Sequence, residues 1–336
     1  MRYKAEHPDL AVDVVAEVEK MLRCRDPDYG FLTYKCPECG EVKTIPLTCK
    51  SRICTSCGKK YADEWADTLA STLYSVTHRH MVFTIPEGLR KVLDENRTLL
   101  KILMDSVSKT MMQMVKERRN ALPGIVCVLH LYGRDLPLNP HVHALATEGG
   151  LTGRGAWMPV TFLEYGKLRK IWQYHLLTAL KKQMPKTKET GRLVDGLFKT
   201  HQEGFYIYAT RRVTDARKTA RYIGRYIRHP AIADSRITEF NPDTNTVTFW
   251  YQRNGGVETV IMAALEFIDH LVRLIPDKNL KLIRYYGLYA RRARSRIQKM
   301  LTSLSRDISK PQPRKEPVKC PKCGTPMEFI AITRPS

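Results

Sequence analysis

Two Cys-x-x-Cys pairs, "KCPECG" (35–40) and "ICTSCG" (53–58), constrain this chain more than any other feature. Each pair is followed by glycine, the residue a knuckle turn needs so that its amides can face the sulfurs, and the pairs lie fourteen residues apart. Disulfides would suit a secreted protein, but six of the nine cysteines crowd between Cys24 and Cys57 at metal-ligand spacing. The spacing predicts one structural, tetrahedral zinc (Zn2+) held by Cys36, Cys39, Cys54 and Cys57. Four thiolates leave no position open for water, so such an ion folds a module and does not catalyse. Cys49 is a possible substitute ligand, and with Cys24 it could serve a second ion, although a buried free thiol is the preferred reading of Cys24. At the far end "CPKCG" (320–324) offers only Cys320 and Cys323, half a ligand set, so these two need a partner pair from elsewhere, another subunit, or hold no metal.

Lys50, Arg52, Lys59 and Lys60 stud the cysteine module, and they agree with the whole: 56 Lys and Arg against 34 Asp and Glu give a formal charge of +22. Such an excess self-repels alone and favours a polyanion, most readily DNA. A membrane surface is the competing partner, yet the sequence has no run of eighteen apolar residues and "MRYKAEHPDLAVDVV" has no signal-peptide core, so the expectation is a cytoplasmic, nucleoid-associated protein with no membrane contact.

Along the chain, periodicity predicts helices over 11–23, 60–75, 96–119, 163–183 and 214–229, and strands over 78–86, 124–133, 141–147 and 204–213. A hairpin is expected around Asn254-Gly255-Gly256, a mainly helical basic stretch over 263–306, and a linker at "SKPQPRKEP" (309–317). These imply a zinc-binding module over 1–70, a catalytic domain over 71–240, a hairpin and basic helical region over 241–310, and a tail over 311–336.

Chemistry concentrates in "HVHALAT" (141–147) and "RYIGRYIRH" (221–229). On a strand, His141 and His143 point to one face, and His130 on the preceding strand can present a third imidazole. On a helix, Tyr222 and Tyr226 lie one turn apart on one face. Neither spacing is decisive: "HRH" (78–80) is a second H-x-H, and Tyr285 and Tyr289 repeat the tyrosine spacing. Arg211, Arg212, Arg217, Lys218, Arg221 and Arg225 surround the tyrosines and suit either phosphate contact or a solvated basic face.

The order "FTIP" (83–86), "HVH" (141–143), "YIGRY" (222–226) resembles the three motifs of the HUH endonucleases in their two-tyrosine form. "CKSRICTSCG" and "GRYIRHPAIADSRI" look more narrowly like the rolling-circle insertion-sequence transposases of the IS-ninety-one type, whose tails the terminal CPKCG also resembles. The resemblance runs from about Cys36 to Arg294. It implies an α+β fold with a central antiparallel sheet, histidines on a central strand and the tyrosine helix laid against it. It implies Mg2+ or Mn2+ on His141 and His143, with His130 similar to the third histidine of the related relaxases. It further implies Tyr222 and Tyr226 as nucleophiles that cleave and rejoin single-stranded DNA, expected at hairpin ends of a mobile element, through 5′-phosphotyrosine. Tyr285, Tyr289 and the His78–His80 pair match no catalytic motif. No GxxxxGK[ST] loop is present, so strand separation falls to a host helicase or the replication machinery. A replication initiator of the same nicking chemistry and a non-catalytic zinc-dependent regulator are the alternatives.

Overall fold

The structure is a computed structural model that describes the chain apart from residues 1, 52, 75, 134–137, 161–162, 210–231, 254–255, 294–316 and 335–336. In chain order the helices are α1 (Arg2–Glu6), α2 (Val12–Leu22), α3 (Gly58–Thr72), α4 (Glu87–Glu95), α5 (Leu100–Arg119), α6 (Tyr165–Gln183), α7 (Lys188–Thr200) and α8 (Ala264–Arg273). The strands are β1 (Phe31–Lys35), β2 (Val42–Pro46), β3 (His78–Phe83), β4 (Ala121–Leu122), β5 (Gly124–Tyr132), β6 (Leu138–Thr147), β7 (Gly149–Thr152), β8 (Trp157–Pro159), β9 (Ile207–Ala209), β10 (Ile237–Asn241), β11 (Thr246–Arg253), β12 (Gly256–Ala263), β13 (Ile283–Gly287) and β14 (Glu328–Thr333). Every strand pairing among the described residues is antiparallel. No helix among the described residues is long and apolar enough to cross a membrane.

The chain divides into two compact units, and each is discontinuous in sequence. Met1–Thr68, Arg228–Ile275 and Pro311–Ser336 form the first, Leu69–Ile227 and Pro276–Lys310 the second. The four successive segments read from sequence are therefore interleaved: the hairpin of β11 and β12 and the C-terminal tail group with the cysteine module. The first unit contains two three-stranded sheets, ordered β14-β1-β2 and β10-β11-β12.

The second unit centres on a five-stranded sheet ordered β13-β5-β6-β3-β9, with β6 in the middle. Alternation along the strands sends Met81 and Phe83 of β3, Cys127 and Leu129 of β5, and Val142, Ala144 and Ala146 of β6 to one face. There they join Leu103, Val107 and Met111 of α5 and Trp172 and Leu176 of α6 in one apolar core. Each fully buried Leu or Met contributes roughly 1.5–3 kcal/mol. Residues alternating with these along β5 and β6 face the other way, and the histidines are among them.

The structure corrects the expectation for 263–306. The described part of that stretch is not mainly helical: α8 ends at Arg273, and residues 283–287 form β13, which pairs with β5 through Tyr285↔Val126. Tyr285 and Tyr289 therefore do not share a helix face. Tyr289 is 4% exposed and lies against Gly124, where any Cβ would come within 2.6 Å of its ring. The expected helix over 214–229 and the end of the strand over 204–213, with Arg211 and Arg212, fall outside the described residues.

Candidate metal centre and thiol clusters

β5 and β6 run antiparallel in a register that sets His130 opposite His141 and Val128 opposite His143. This puts three imidazoles on one face of the sheet, with one ring nitrogen from each within 4.8 Å of the others. His130 Nδ1 and His141 Nε2 are 3.0 Å apart. For nitrogens bound at about 2.1 Å in adjacent corners of an octahedron, the edge is about 3.0 Å, so this separation fits a shared divalent ion.

Backbone and neighbours fix which nitrogen each ring presents. His141 Nδ1 lies 2.6 Å from the Asn139 carbonyl and donates to it, which turns Nε2 toward His130. His143 Nδ1 lies 3.0 Å from His80 Nε2, the two rings nearly parallel, so Nε2 is the nitrogen through which His143 would meet an ion. Burial holds His143 and His130 well below the usual histidine range, and mutual proximity of the imidazoles adds to it. Burial also lowers His141, with the Asn139 carbonyl opposing and the Arg90 guanidinium of α4 contributing. All three are neutral at pH 7 and have lone pairs to donate.

The "FTIP" stretch ends β3 and is tied to both α6 and the chain entering β9. Phe83 packs edge-on against Trp172, whose indole donates to the Thr84 carbonyl at 3.0 Å. The Thr84 amide and hydroxyl both donate to the Tyr206 carbonyl, at 3.2 and 2.9 Å. Tyr206 immediately precedes β9, the strand that leads the chain toward Tyr222 and Tyr226. Those two tyrosines, with Arg217, Lys218, Arg221 and Arg225, lie outside the described residues, as does Arg52. Lys60 is exposed on α3, where Lys59 also falls.

His78 sits at the other end of β3, fully buried, with its Nε2 2.6 Å from the Tyr289 hydroxyl. The Tyr74 amide donates to that hydroxyl at 3.2 Å, so the hydroxyl proton goes to His78. Burial pushes His78 down to about 4. Its unfolded value is near 6.5, so the unfolded chain binds the extra proton between those limits. The stability due to neutral His78 is complete above pH 6.5 and is lost as pH falls toward 4. Urea titrations at pH 7 and 4.5 are expected to differ by about 2–3 kcal/mol from this residue, and His78→Gln should remove that part of the slope. An unchanged slope would refute the assignment.

The thiols collect into two sets of four, grouped differently from the sequence expectation. Cys54 and Cys57 meet Cys24 and Cys49, with Cys49 and Cys57 sulfurs 3.5 Å apart. Cys36 and Cys39 instead meet Cys320 and Cys323. The two Cys-x-x-Cys pairs do not share a site because β1 and β2 carry the first knuckle at their own turn, whereas the second opens α3. Cys24, expected from sequence to be a buried free thiol, occupies a ligand position just beyond the end of α2. In the first set the Ser51 amide donates to Cys49 Sγ at 3.4 Å, and Thr48 Oγ1 contacts Tyr61 Oη at 2.6 Å, tying the loop to α3.

Known family descriptions cover the regions that hold the histidines and the N-terminal thiols. A family profile described as "Putative transposase" matches residues 124–296, and one described as "Transposase zinc-binding domain" matches residues 2–85. The chain is 30% identical over 346 aligned residues to the transposase for insertion sequence element IS801 of Pseudomonas savastanoi pv. phaseolicola, covering 94% of this chain and 83% of that one. The chain belongs to the IS91-type transposases. This transposase is also 23% identical to the "Putative transposase y4qJ" of Sinorhizobium fredii (strain NBRC 101917 / NGR234), over 87% of this chain and 78% of that one. No solved structure matches it. As a transposase it acts on DNA, and the Cys24, Cys49, Cys54 and Cys57 set, which lies wholly inside the zinc-binding match, suits structural zinc.

Two residues beside the transposase's histidine site escape a reading of its sequence. His80 has Arg79 next to it, which fits no ligand role; it stands outside the triad, yet it bonds to a member of it. Its signal is register: β3 pairs with β6 through Val82↔His143, which places His80 diagonally across from His143. Arg90 gives no signal in sequence beyond its place four residues after Pro86.

Proposed function

We propose that this transposase nicks and rejoins single-stranded DNA at the ends of its element through 5′-phosphotyrosine intermediates, with Tyr222 and Tyr226 as nucleophiles, in a rolling-circle mode. The observation that supports this best is the convergence of His130, His141 and His143 on one sheet face with their nitrogens within 4.8 Å. A Mg2+ or Mn2+ ion bound there would polarise the scissile phosphate and offset the charge that attack builds on its oxygens.

The protein's own residues do the rest. A phenol oxygen gives up its proton and forms the new bond to phosphorus while the bond from phosphorus to the 3′-oxygen breaks; the leaving oxygen takes a proton and becomes a free 3′-hydroxyl. The tyrosyl ester keeps the energy of the broken linkage, so a 3′-hydroxyl can later attack it and release the tyrosine without ATP. Two tyrosines allow two ends to be held in succession. Arg90, whose charge reaches His141, would serve as one phosphate contact beside the triad. Arg217, Lys218, Arg221 and Arg225, with Arg52, Lys59 and Lys60, supply further phosphate contacts along the strand. Strand separation is left to host helicase or replication enzymes.

The experiment is incubation of the purified chain with end-labelled single strands carrying the element termini, with Mg2+ or Mn2+. The expected result is that a 3′-end label, carried by the fragment downstream of the nick, migrates with denatured protein while a 5′-end label is released on the fragment with the free 3′-hydroxyl. No covalent adduct with any terminal sequence would sink the reading.

His80 should tune the site without joining it. With His143 Nδ1 donating to His80 Nε2, the acceptor fixes the tautomer that turns Nε2 to the ion, and loss of such a partner typically costs 10–100-fold in metal affinity. His80→Ala is expected to raise the Mn2+ concentration for half-maximal cleavage by roughly that factor, with the rate recovered at saturating metal. His80→Gln, which keeps an acceptor, should restore much of the affinity. A lowered rate at saturating metal with unchanged affinity would exclude the positioning role.

A further inference from the structure

We propose that the chain binds a second zinc ion in a composite site, Cys36, Cys39, Cys320 and Cys323, which fastens the C-terminal tail to the N-terminal module. The zinc-binding family match ends at residue 85, so half of these ligands lie far outside it.

The two halves repeat one local structure. In "CPECG" the Cys36 amide donates to the Glu41 carbonyl at 2.8 Å and the Gly40 amide to the Cys36 carbonyl at 3.1 Å. In "CPKCG" the Cys320 amide donates to the Thr325 carbonyl at 2.9 Å and the Gly324 amide to the Cys320 carbonyl at 3.0 Å. Gly40 and Gly324 have φ of +69° and +74°, and no atom lies within 4 Å of a Cβ built at either. Backbone conformation, not space, therefore demands glycine at both. These are paired zinc knuckles, facing each other.

The sulfur geometry selects the bonding. Cys36 and Cys323 sulfurs are 3.5 Å apart, Cys39 and Cys320 3.5 Å, Cys39 and Cys323 3.7 Å, and all four lie within 4.8 Å of one another. A disulfide requires about 2.05 Å, and none of the four is disulfide-bonded. Four thiolates at about 2.3 Å from a tetrahedral zinc are separated by about 3.8 Å. The surroundings are built to keep this arrangement. Cys36 and Cys320 are buried with Met327 against Tyr34 and Val318, and Lys322 pairs with Glu41 across the two knuckles. Beyond the second knuckle β14 adds to β1 from Phe31↔Thr333 to Lys35↔Glu328, completing the sheet. Since neither pair alone is a site, ion binding and docking of the tail are one event.

Metal analysis of the full chain tests this. Wild type is expected to hold two zinc ions, Cys320→Ser/Cys323→Ser one, and Cys54→Ser/Cys57→Ser the other one. One ion in wild type, unchanged by the Cys320/Cys323 substitutions, would overturn the proposal, as would iron in place of zinc. A second measurement does not depend on how the variants fold. With a protease site inserted within 309–317, the cleaved wild-type tail should co-elute with the rest of the chain while zinc is present and separate when a chelator removes it. Separation with zinc bound overturns the site.

Discussion

Replacing His141 and His143 together by alanine is expected to leave single-strand affinity within a fewfold at matched salt while yielding no tyrosyl adduct at any Mg2+ or Mn2+ concentration. Binding draws on many Lys and Arg contacts spread over a chain of charge +22, and each phosphate neutralised adds its own counterion-release contribution. The two imidazoles contribute little to that sum. They supply two of three nitrogens at one point, and a single remaining imidazole holds a labile divalent ion poorly. His130→Ala should be milder, with weakened metal affinity and partial recovery in Mn2+, because His141 and His143 still share β6. Zinc content and circular dichroism of the double variant must match wild type. An adduct from the double variant would remove the triad from the chemistry.

Converting both Tyr222 and Tyr226 to phenylalanine is expected to eliminate covalent adduct altogether. Each single change should impair transposition while leaving one tyrosine able to form an ester. Phenylalanine removes the attacking oxygen and little else, so DNA affinity and metal affinity should stay at wild-type values. The informative control is Tyr285→Phe. Tyr285 sits on β13, partly exposed, and repeats the Tyr222–Tyr226 spacing with Tyr289 although the two do not share a helix. Full adduct from the Tyr222/Tyr226 double variant, or its loss in Tyr285→Phe, would reassign the nucleophile.

Legibility in the sequence tracks the range of the interactions. The hairpin of β5 and β6 announces itself through two apolar runs separated by turn residues, and its register, which makes the triad, depends on a short connection. Helices such as α5 and α6 declare themselves by apolar spacing over about five turns. α7 has a legible start, Thr187 accepting from the Thr190 amide at 3.2 Å, and an apolar stripe of Leu193, Val194 and Leu197, but Gly191 and Gly196 weaken the helical pattern. β13 is ambiguous because Tyr-Tyr-Gly-Leu-Tyr fits helix and strand equally, and pairing with β5 decides. The thiol grouping is hidden for a different reason. Which Cys-x-x-Cys pair meets which is settled by β14 docking on β1, a contact between residues 31–35 and 328–333 that leaves no periodic trace.

Because β14 docks on β1, the order of synthesis and the order of assembly in this transposase are at odds. Cys39 and the Cys320 it faces are 281 residues apart, and β1 receives its second neighbour only from residues 328–333. A nascent chain, made N-terminus first, thus carries an unpaired β1 edge and two waiting thiols while all of the histidine sheet is translated and folds. A product broken off after β13 but before Cys320 would hold its triad and every strand of that sheet but lack part of its first folded unit.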